Sequence, residues 1–169
     1  MTTQEVNPTT GTDAALTDYV RQLEARLRVL EDKEALGALM NRYCRTSDAK
    51  DWYAWSLCFV EDAEFEFGPF GTHHGRQKIR EVCEAAEEPY LSMQHSMTNM
   101  QFEIDGDTAT GTAYLWFAGV QDPQNPSKHY DIGGPYEWTF RLTPEGWRLS
   151  RMHLRVVWTQ GDQEQSVFG

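Results

Sequence analysis

The chain has 169 residues and a formal net charge of -11, a length that suits one domain with a substantial core. Its excess negative charge disfavours binding to nucleic acids or to anionic membranes. No stretch approaches the roughly 18 consecutive apolar residues of a membrane-spanning helix, and the Thr-rich start lacks the features of a signal peptide. Cys44, Cys58 and Cys83 form no CxxC motif, which favours buried, reduced thiols and a cytoplasmic location.

The first elements along the chain are predicted to be helical. Residues 1–14 are rich in Thr, Asn and Gly and are expected to be a flexible N-terminal segment. Apolar residues then recur three and four positions apart, which predicts a long helix. They are Leu16, Val20, Leu23, Leu27, Leu30, Leu36, Leu39, Met40 and Tyr43. The first five have a near-heptad rhythm over about two heptads and could dock on a second subunit or on the domain itself.

The remaining elements predict an α+β fold. The run "DAKDWYAWSLCF" favours a second short helix, which Asp48 or Asp51 could cap, and "GRQKIREVCEAAEE" predicts an amphipathic helix. Most later residues alternate as strands around the turns "DGD" and "PEG". Helices followed by a bent antiparallel meander predict a sheet wrapped around the first helix, with a cone-shaped pocket between them. We expect one domain over residues 15–160 and a C-terminal tail over residues 161–169.

Nothing in the sequence indicates a cofactor or a metal. No nucleotide-binding loop, HExxH motif or paired Cys/His ligand set occurs. His73 and His74 are adjacent, and neighbouring side chains of an extended segment point in opposite directions, so a turn is favoured over a shared metal.

The residues that could carry chemistry are a histidine and an aspartate. His95 shares a predicted strand face with Met93 and Met97, so it is either a core histidine or a general base that titrates near neutral pH. A histidine base needs a carboxylate to fix its tautomer. Asp48, at the end of the first helix, could supply that carboxylate or could cap the next helix.

Other polar and aromatic residues have two interpretations each. The Tyr43 hydroxyl could donate to a substrate oxygen, or the ring could belong to the core. Arg155 shares a face of the last strand with Arg151 and His153, and it would need an anion if buried. Its alternative is an exposed charge. Aromatic side chains are expected to form the core or the wall of a pocket for a hydrophobic small molecule; they are Phe65, Tyr114, Trp116 and Trp138.

The order of these motifs resembles the SnoaL-like family of the nuclear-transport-factor-two-like superfamily over roughly residues 16–160. The resemblance is carried by "NRYCRTSDAKDW", "GRQKIREV", "SMQHSMTNMQFEIDGD" and "GWRLSRMHLRVVW", and it is strongest to lyases of the bile-acid dehydratase and scytalone dehydratase type. It implies a cone-shaped α+β barrel. The catalytic Asp and His of the family fall on Asp48 and His95, and the Tyr and last-strand Arg of the bile-acid dehydratase pattern fall on Tyr43 and Arg155.

The resemblance also implies a function. It indicates a cofactor-independent dehydratase that acts on a hydrophobic cyclic small molecule through His–Asp general acid–base chemistry. A ketosteroid-isomerase-like isomerase or a polyketide cyclase in the same pocket is the first alternative, and a non-catalytic ligand-binding protein is the second. Relatives of this kind are often trimers or dimers, so a homo-oligomer is expected.

Overall fold

The structure, a computed structural model, describes residues 9–162, with side chains for residues 13–68 and 70–162. The helices in this range are α1 (Thr9–Asp48), α2 (Trp52–Ser56) and α3 (Arg76–Glu87), and a 3-10 turn spans Gly68–Phe70. The strands are β1 (Phe59–Phe67), β2 (Gly71–His74), β3 (Ser92–Asp105), β4 (Thr108–Val120), β5 (His129–Thr143), β6 (Gly146–Leu154) and β7 (Trp158–Gly161).

The strands form one curved mixed sheet. Its order is β2-β1-β6-β5-β4-β3, and β7 pairs with the first part of β5. Only β1 and β6 run parallel among the described pairs; the others are antiparallel. The predicted α+β fold is therefore confirmed. The sheet curves around the helices but does not close into a full barrel, because β2 and β3 remain at its two edges.

The second half of α1 packs inside the curve of the sheet. Leu36, Leu39, Met40 and Tyr43 are 0–4% exposed, and their spacing places them on one helix face. Burial of each such side chain stabilises the fold by about 1.5–3 kcal/mol. This face contacts mainly β3, so the end of α1 and the start of β3 lie side by side.

The structure of the junction between α1 and α2 shows which of the two candidate residues, Asp48 or Asp51, caps α2. The carboxylate of Asp51 accepts a hydrogen bond from the backbone N of Ala54 at 3.0 Å, so Asp51 caps α2. Lys50 adopts a positive φ of 54°, and the chain turns sharply there. Asp48 is the last residue of α1 and is not needed as a cap, so its carboxylate can serve elsewhere.

The last predicted strand is broken into two. β6 ends at Leu154 and β7 begins at Trp158, and the intervening chain crosses close to β5. A Cβ atom on Gly134 would lie 1.9 Å from the carbonyl oxygen of Arg155, and one on Gly133 would lie 2.1 Å from the Trp158 ring. Only glycine fits at these two positions of β5.

The ends of the chain differ in part from expectation. The helix α1 begins at Thr9, so the second part of the predicted flexible segment, residues 9–14, is helical. The predicted C-terminal tail lies mostly outside the described residues, although Gly161 belongs to β7. No helix in residues 9–162 is long and apolar enough to cross a membrane.

Candidate active site

An apolar cavity lies between the concave face of the sheet and the helices. Its apolar walls include Phe65, Leu115, Phe117, Ile132 and Leu154. Its polar side is formed by Tyr43, Glu87, His95 and Tyr136. The cavity volume is about 20 Å³, which is room for about one water molecule. A ring-sized ligand therefore requires the walls to move outward.

Asp48 and His95 are in direct contact beside this cavity. Oδ1 of Asp48 lies 2.7 Å from Nδ1 of His95. The same carboxylate accepts hydrogen bonds from the backbone N of His95 at 3.0 and 3.2 Å. These bonds fix both the position and the orientation of the ring, and they leave Nε2 as the imidazole nitrogen that is available to a ligand.

A second carboxylate faces that remaining nitrogen. Oε1 of Glu87 lies 3.6 Å from Nε2 of His95, and its other oxygen accepts a hydrogen bond from the hydroxyl of Ser47 at 2.8 Å. The Glu87 side chain is 17% exposed. Its position at the C-terminal end of α3 opposes the helix dipole, which disfavours negative charge there. A charged Glu87 at this position is therefore not expected to stabilise the fold.

The two carboxylates control the charge of His95. Burial alone would lower the pKa of His95, but the charge of Glu87 and the hydrogen bond to Asp48 outweigh it, and the pKa rises from 6.5 to about 9. This direction favours the imidazolium form of the ring at neutral pH. Glu87 contributes the largest of the charge effects that raise this pKa.

Two phenols complete the polar side of the cavity. Burial raises the pKa of Tyr43. The neighbouring Tyr136 raises this pKa further, through electrostatic coupling between the two phenols and through a side-chain hydrogen bond. Burial also raises the pKa of Tyr136. The edge of the Tyr43 ring packs against His95, with centroids 6.4 Å apart. Both phenols stay protonated near neutral pH and can donate to an oxygen that gains negative charge.

The thiols of the chain are not activated. Cys58 and Cys83 are buried, Cys44 is half-buried, and all three are free. Burial raises the pKa of all three, that of Cys44 to about 12. Nucleophilic catalysis requires a thiolate, so Cys83 acts as an apolar wall of the cavity.

Arg155 lies outside the cavity. Its side chain is exposed, because the chain leaves the sheet after Leu154 and residue 155 belongs to neither β6 nor β7. Arg151 pairs with Glu64 at 2.8 Å, and His153 lies near Glu66 and Glu137. The predicted catalytic contribution of Arg155 is therefore not compatible with its position.

Only one of the four predicted aromatic wall residues lines the cavity. Phe65 does so. Tyr114 and Trp116 are 56% and 55% exposed, because β4 presents its odd-numbered residues to the core and its even-numbered residues outward. Trp138 is 3% exposed and packs between Phe102 and Phe140, away from the cavity lining.

Two further histidines, His73 and His74, lie on β2. Among the described residues, the Nε2 atom of His73 is buried without a hydrogen-bond partner, and His74 lies 3.6 Å from Glu64. Within residues 9–162 no group of three or more His, Cys, Asp or Glu side chains is placed to hold a metal ion.

The outer face of the sheet carries a second His–Asp pair. Nδ1 of His129 lies 2.6 Å from Asp131, whose other oxygen accepts a hydrogen bond from Trp116. This pair faces away from the cavity, since the neighbouring Ile132 points into it. It has the same chemical groups as the pair of Asp48 and His95, but the His129 side chain is 32% exposed, whereas that of His95 is 4% exposed.

Glu87 is the site residue that sequence reasoning missed. A signal for it exists, because Ile79, Cys83 and Glu87 are four residues apart and therefore share the buried face of α3. A carboxylate on an otherwise apolar helix face is unusual, since buried charges need partners.

Comparison with solved structures places this fold among known ones. An NTF2-like protein with a cystatin-like fold from Novosphingobium aromaticivorans is 30% identical, with a TM-score of 0.69 over 80% of this chain and 88% of that one. A candidate scytalone dehydratase from the same organism is 19% identical, with a TM-score of 0.71 over 79% and 89% of the two chains. A hexachlorocyclohexane dehydrochlorinase, LinA type 2, is 18% identical, with a TM-score of 0.72 over 81% and 93%. The last two show similarity of fold alone.

The family assignment comes from the sequence. No curated protein matches the chain. The model of the SnoaL-like domain family matches residues 28–153, a range that contains Tyr43, Asp48, Glu87 and His95 and all strands from β1 to the end of β5. The chain therefore belongs to the family of SnoaL-like domains.

Proposed function

We propose that the protein is a cofactor-independent lyase, a dehydratase, that acts on a hydrophobic cyclic small molecule. The observation that carries the proposal is the enclosed ionic group of Asp48, His95 and Glu87 at the edge of an apolar cavity. Burying such a group is costly, and perturbed ionisable groups in clefts are typical of catalytic sites. The similarity of fold to a candidate scytalone dehydratase and to a dehydrochlorinase agrees with elimination chemistry.

The charge states suggest how the proton transfers are divided. The imidazolium of His95 is the acid: Nε2 gives its proton to the departing hydroxyl, which leaves as water. The Glu87 carboxylate is the base: it takes the proton from the neighbouring carbon, and the electrons of that C–H bond form the new C=C bond. Asp48 holds the ring through Nδ1. After product release, the proton moves from Glu87 back to His95 across 3.6 Å, and the resting state returns.

This division has a stereochemical consequence. The acid Nε2 and the base Oε1 are only 3.6 Å apart and lie on the same wall of the cavity. A substrate placed against that wall presents both its leaving hydroxyl and its departing hydrogen on one face. The elimination is therefore expected to be syn, which a substrate stereospecifically deuterated at the carbon acid can test.

Substrate entry requires a larger cavity. Sites for small molecules usually have volumes of about 300–1,000 Å³, whereas the cavity here has about 20 Å³. The aromatic wall of Phe65 and Phe67 stacks with centroids 5.7 Å apart, and Phe67 directly precedes the turn Gly68–Phe70. Gly68 begins this turn and Gly71 follows it, and both have positive φ angles. We therefore expect the turn and Phe67 to move outward when substrate binds.

The test is an activity screen with matched variants. Alicyclic hydroxyketones are incubated with the protein, and the products are examined by mass spectrometry for a loss of about 18 Da. His95→Ala and Glu87→Gln are each expected to lower kcat by about 10²–10⁴-fold, the usual contribution of general acid–base catalysis. His129→Ala removes the chemically matched histidine of the outer face and should retain full activity. Unchanged turnover in His95→Ala would exclude the mechanism.

Isomerisation is the second candidate, and the two phenols favour it. Tyr43 and Tyr136 have raised pKa values and hydrogen-bond to one another at the cavity, an arrangement that can stabilise an enolate oxygen. In that case Glu87 and His95 would move a proton between two carbons and nothing would leave. A product of unchanged mass distinguishes this reaction from dehydration.

A further inference from the structure

The first part of α1 projects beyond the folded domain. Every residue from position 13 to position 31 is exposed. Contact between the helix and the domain begins at Asp32, which accepts a hydrogen bond from Trp147. Five aliphatic side chains of this segment are 42–65% exposed; they are Leu16, Val20, Leu23, Leu27 and Leu30. Isolated helices are marginal in water, so this length of helix calls for a packing partner.

The five side chains follow a heptad rule. Their spacings are four, three, four and three residues, which are the steps between the d and a positions of a coiled coil. Leucine occupies all three d positions, and Val20 and Leu27 occupy the a positions. Of the two a positions, only Val20 carries a β-branched residue, and that residue with leucine at d favours two strands.

The described part of the domain, up to residue 162, does not cover this stripe. Leu27 and Leu36 are nine residues apart, which is about 180° around a helix of 3.6 residues per turn. Leu36 is fully buried against the domain, whereas Leu27 is 54% exposed. The stripe therefore faces away from the body of the same chain, and a helix packed on it would hold the two domains on opposite outer sides.

The charged residues beside the stripe favour pairing with a second copy of this chain in parallel orientation. Position e carries Glu24 and Glu31, and position g carries Arg26 and Lys33. In a parallel pair, a g residue faces the e residue five positions later on the other helix, so Arg26 meets Glu31 of the partner subunit. An antiparallel pair would oppose e with e and g with g, which places like charges together. Neither Arg26 nor Glu31 has an ion-pair partner within residues 9–162.

We propose that residues 16–31 form a parallel two-stranded coiled coil with a second copy of this chain. The interface spans about two heptads, so the dimer is expected to depend on concentration. The helix is already continuous with the folded domain, which removes much of the nucleation cost of an isolated helix. This inference does not depend on the proposed reaction.

The first test measures mass in solution by analytical ultracentrifugation of the full chain over a range of concentrations. Wild type is expected to dimerise. Leu23→Glu/Leu27→Glu is expected to raise the dissociation constant at least about 100-fold, because four buried leucines per dimer are lost. Val29→Glu is the matched control, since Val29 is an equally exposed aliphatic residue outside the stripe; it should leave dimerisation unchanged. A wild type that remains monomeric, that forms trimers, or that dimerises equally well with both leucines replaced would overturn the proposal.

The second test determines orientation. Arg26→Glu and Glu31→Arg should each weaken the dimer, and the double variant should restore it, because the g-to-e pair is then reversed but still complementary. Leu16→Cys should form an intermolecular disulfide under mild oxidation, since a parallel pair brings the two d positions together; Val29→Cys and wild type are the controls. A dimer in which the double charge reversal does not restore affinity and Leu16→Cys does not cross-link would contradict the parallel arrangement.

Discussion

Replacing Glu87 by glutamine tests the electrostatic core of the proposed site. Glu87→Gln keeps the size of the side chain and can still accept the hydrogen bond from Ser47, but it removes the negative charge that faces Nε2 of His95. Among the influences that raise the pKa of His95, the charge of Glu87 is the largest. The substitution therefore separates the effect of Glu87 from that of Asp48, which remains bonded to Nδ1.

The expected shift can be worked out from the structure. The pKa of His95 is about 9 in the presence of both carboxylates. An opposite charge within 4–6 Å is worth about 1–3 pKa units, so the pKa in Glu87→Gln should fall to between about 6 and 8. At pH 8.5 the ring should be mainly protonated in wild type and mainly neutral in the variant. If His95 is the acid of the reaction, the upper limit of the activity profile should move to lower pH together with the titration.

The measurement is an NMR titration of the histidine ring nitrogens in uniformly ¹⁵N-labelled protein. Glu88→Gln is the matched control, because Glu88 is the adjacent residue, is exposed, and interacts with Lys50 rather than with His95. It should leave the pKa of His95 within a few tenths of its wild-type value. An unchanged His95 titration in Glu87→Gln would refute the reasoning, since it would mean that Glu87 does not control the charge of the ring.

Three further predictions concern other parts of the molecule. Tyr43→Phe should lower kcat by about 10²–10³-fold with little change in KM if the phenol stabilises a developing oxyanion, whereas Tyr53→Phe, at a side chain exposed to 67%, should have no effect in the same assay. The folded pKa of His95 lies above 6.5, so its stabilising effect of roughly 3 kcal/mol is complete below pH 6.5 and is lost as the pH rises through about 9; urea unfolding should show this loss in wild type and not in His95→Gln. Gly37→Ala, where an added Cβ meets nothing within 4 Å, should stabilise the protein by about 0.5–1 kcal/mol, whereas Gly134→Ala places its Cβ 1.9 Å from a backbone oxygen and should lower the melting temperature sharply.

The fold was accessible from the sequence because its periodicities are clear. The turn "DGD" separates β3 from β4, and the amphipathic pattern predicts α3 where it occurs. The alternation pattern did not predict which side chains point inward where both faces of a strand carry apolar residues. In Tyr114–Leu115–Trp116–Phe117 every residue suits a core, so alternation could not show that Tyr114 and Trp116 point outward. The close approach of the Arg155 backbone to Gly134 also depends on a segment that is distant in sequence, so local patterns did not show that β6 ends at Leu154.

The site was accessible only in part. Asp48 and His95 were found because one ends a helix, the other begins a strand, and a histidine base requires a carboxylate. Glu87 was overlooked because α3 ends in several acidic residues, and such a run normally indicates a solvated helix end. The pattern indicated one carboxylate beside His95, whereas the structure adds a second, and the charge of Glu87 is the largest influence that raises the pKa of His95.

The two His–Asp pairs of this chain show why enclosure, rather than the presence of the groups, carries the functional argument. His129 and Asp131 are closer to each other than His95 and Asp48, at 2.6 against 2.7 Å, yet the first pair lies on the outer face and the second beside an apolar cavity. The His95 side chain is 4% exposed and that of His129 is 32% exposed. Charges interact more strongly where water is excluded, and at His95 the neighbouring carboxylates raise the pKa to about 9. If replacement of His129 impaired turnover as much as replacement of His95, enclosure would not be the deciding property, and the assignment of the inner pair as the catalytic one would have to be abandoned.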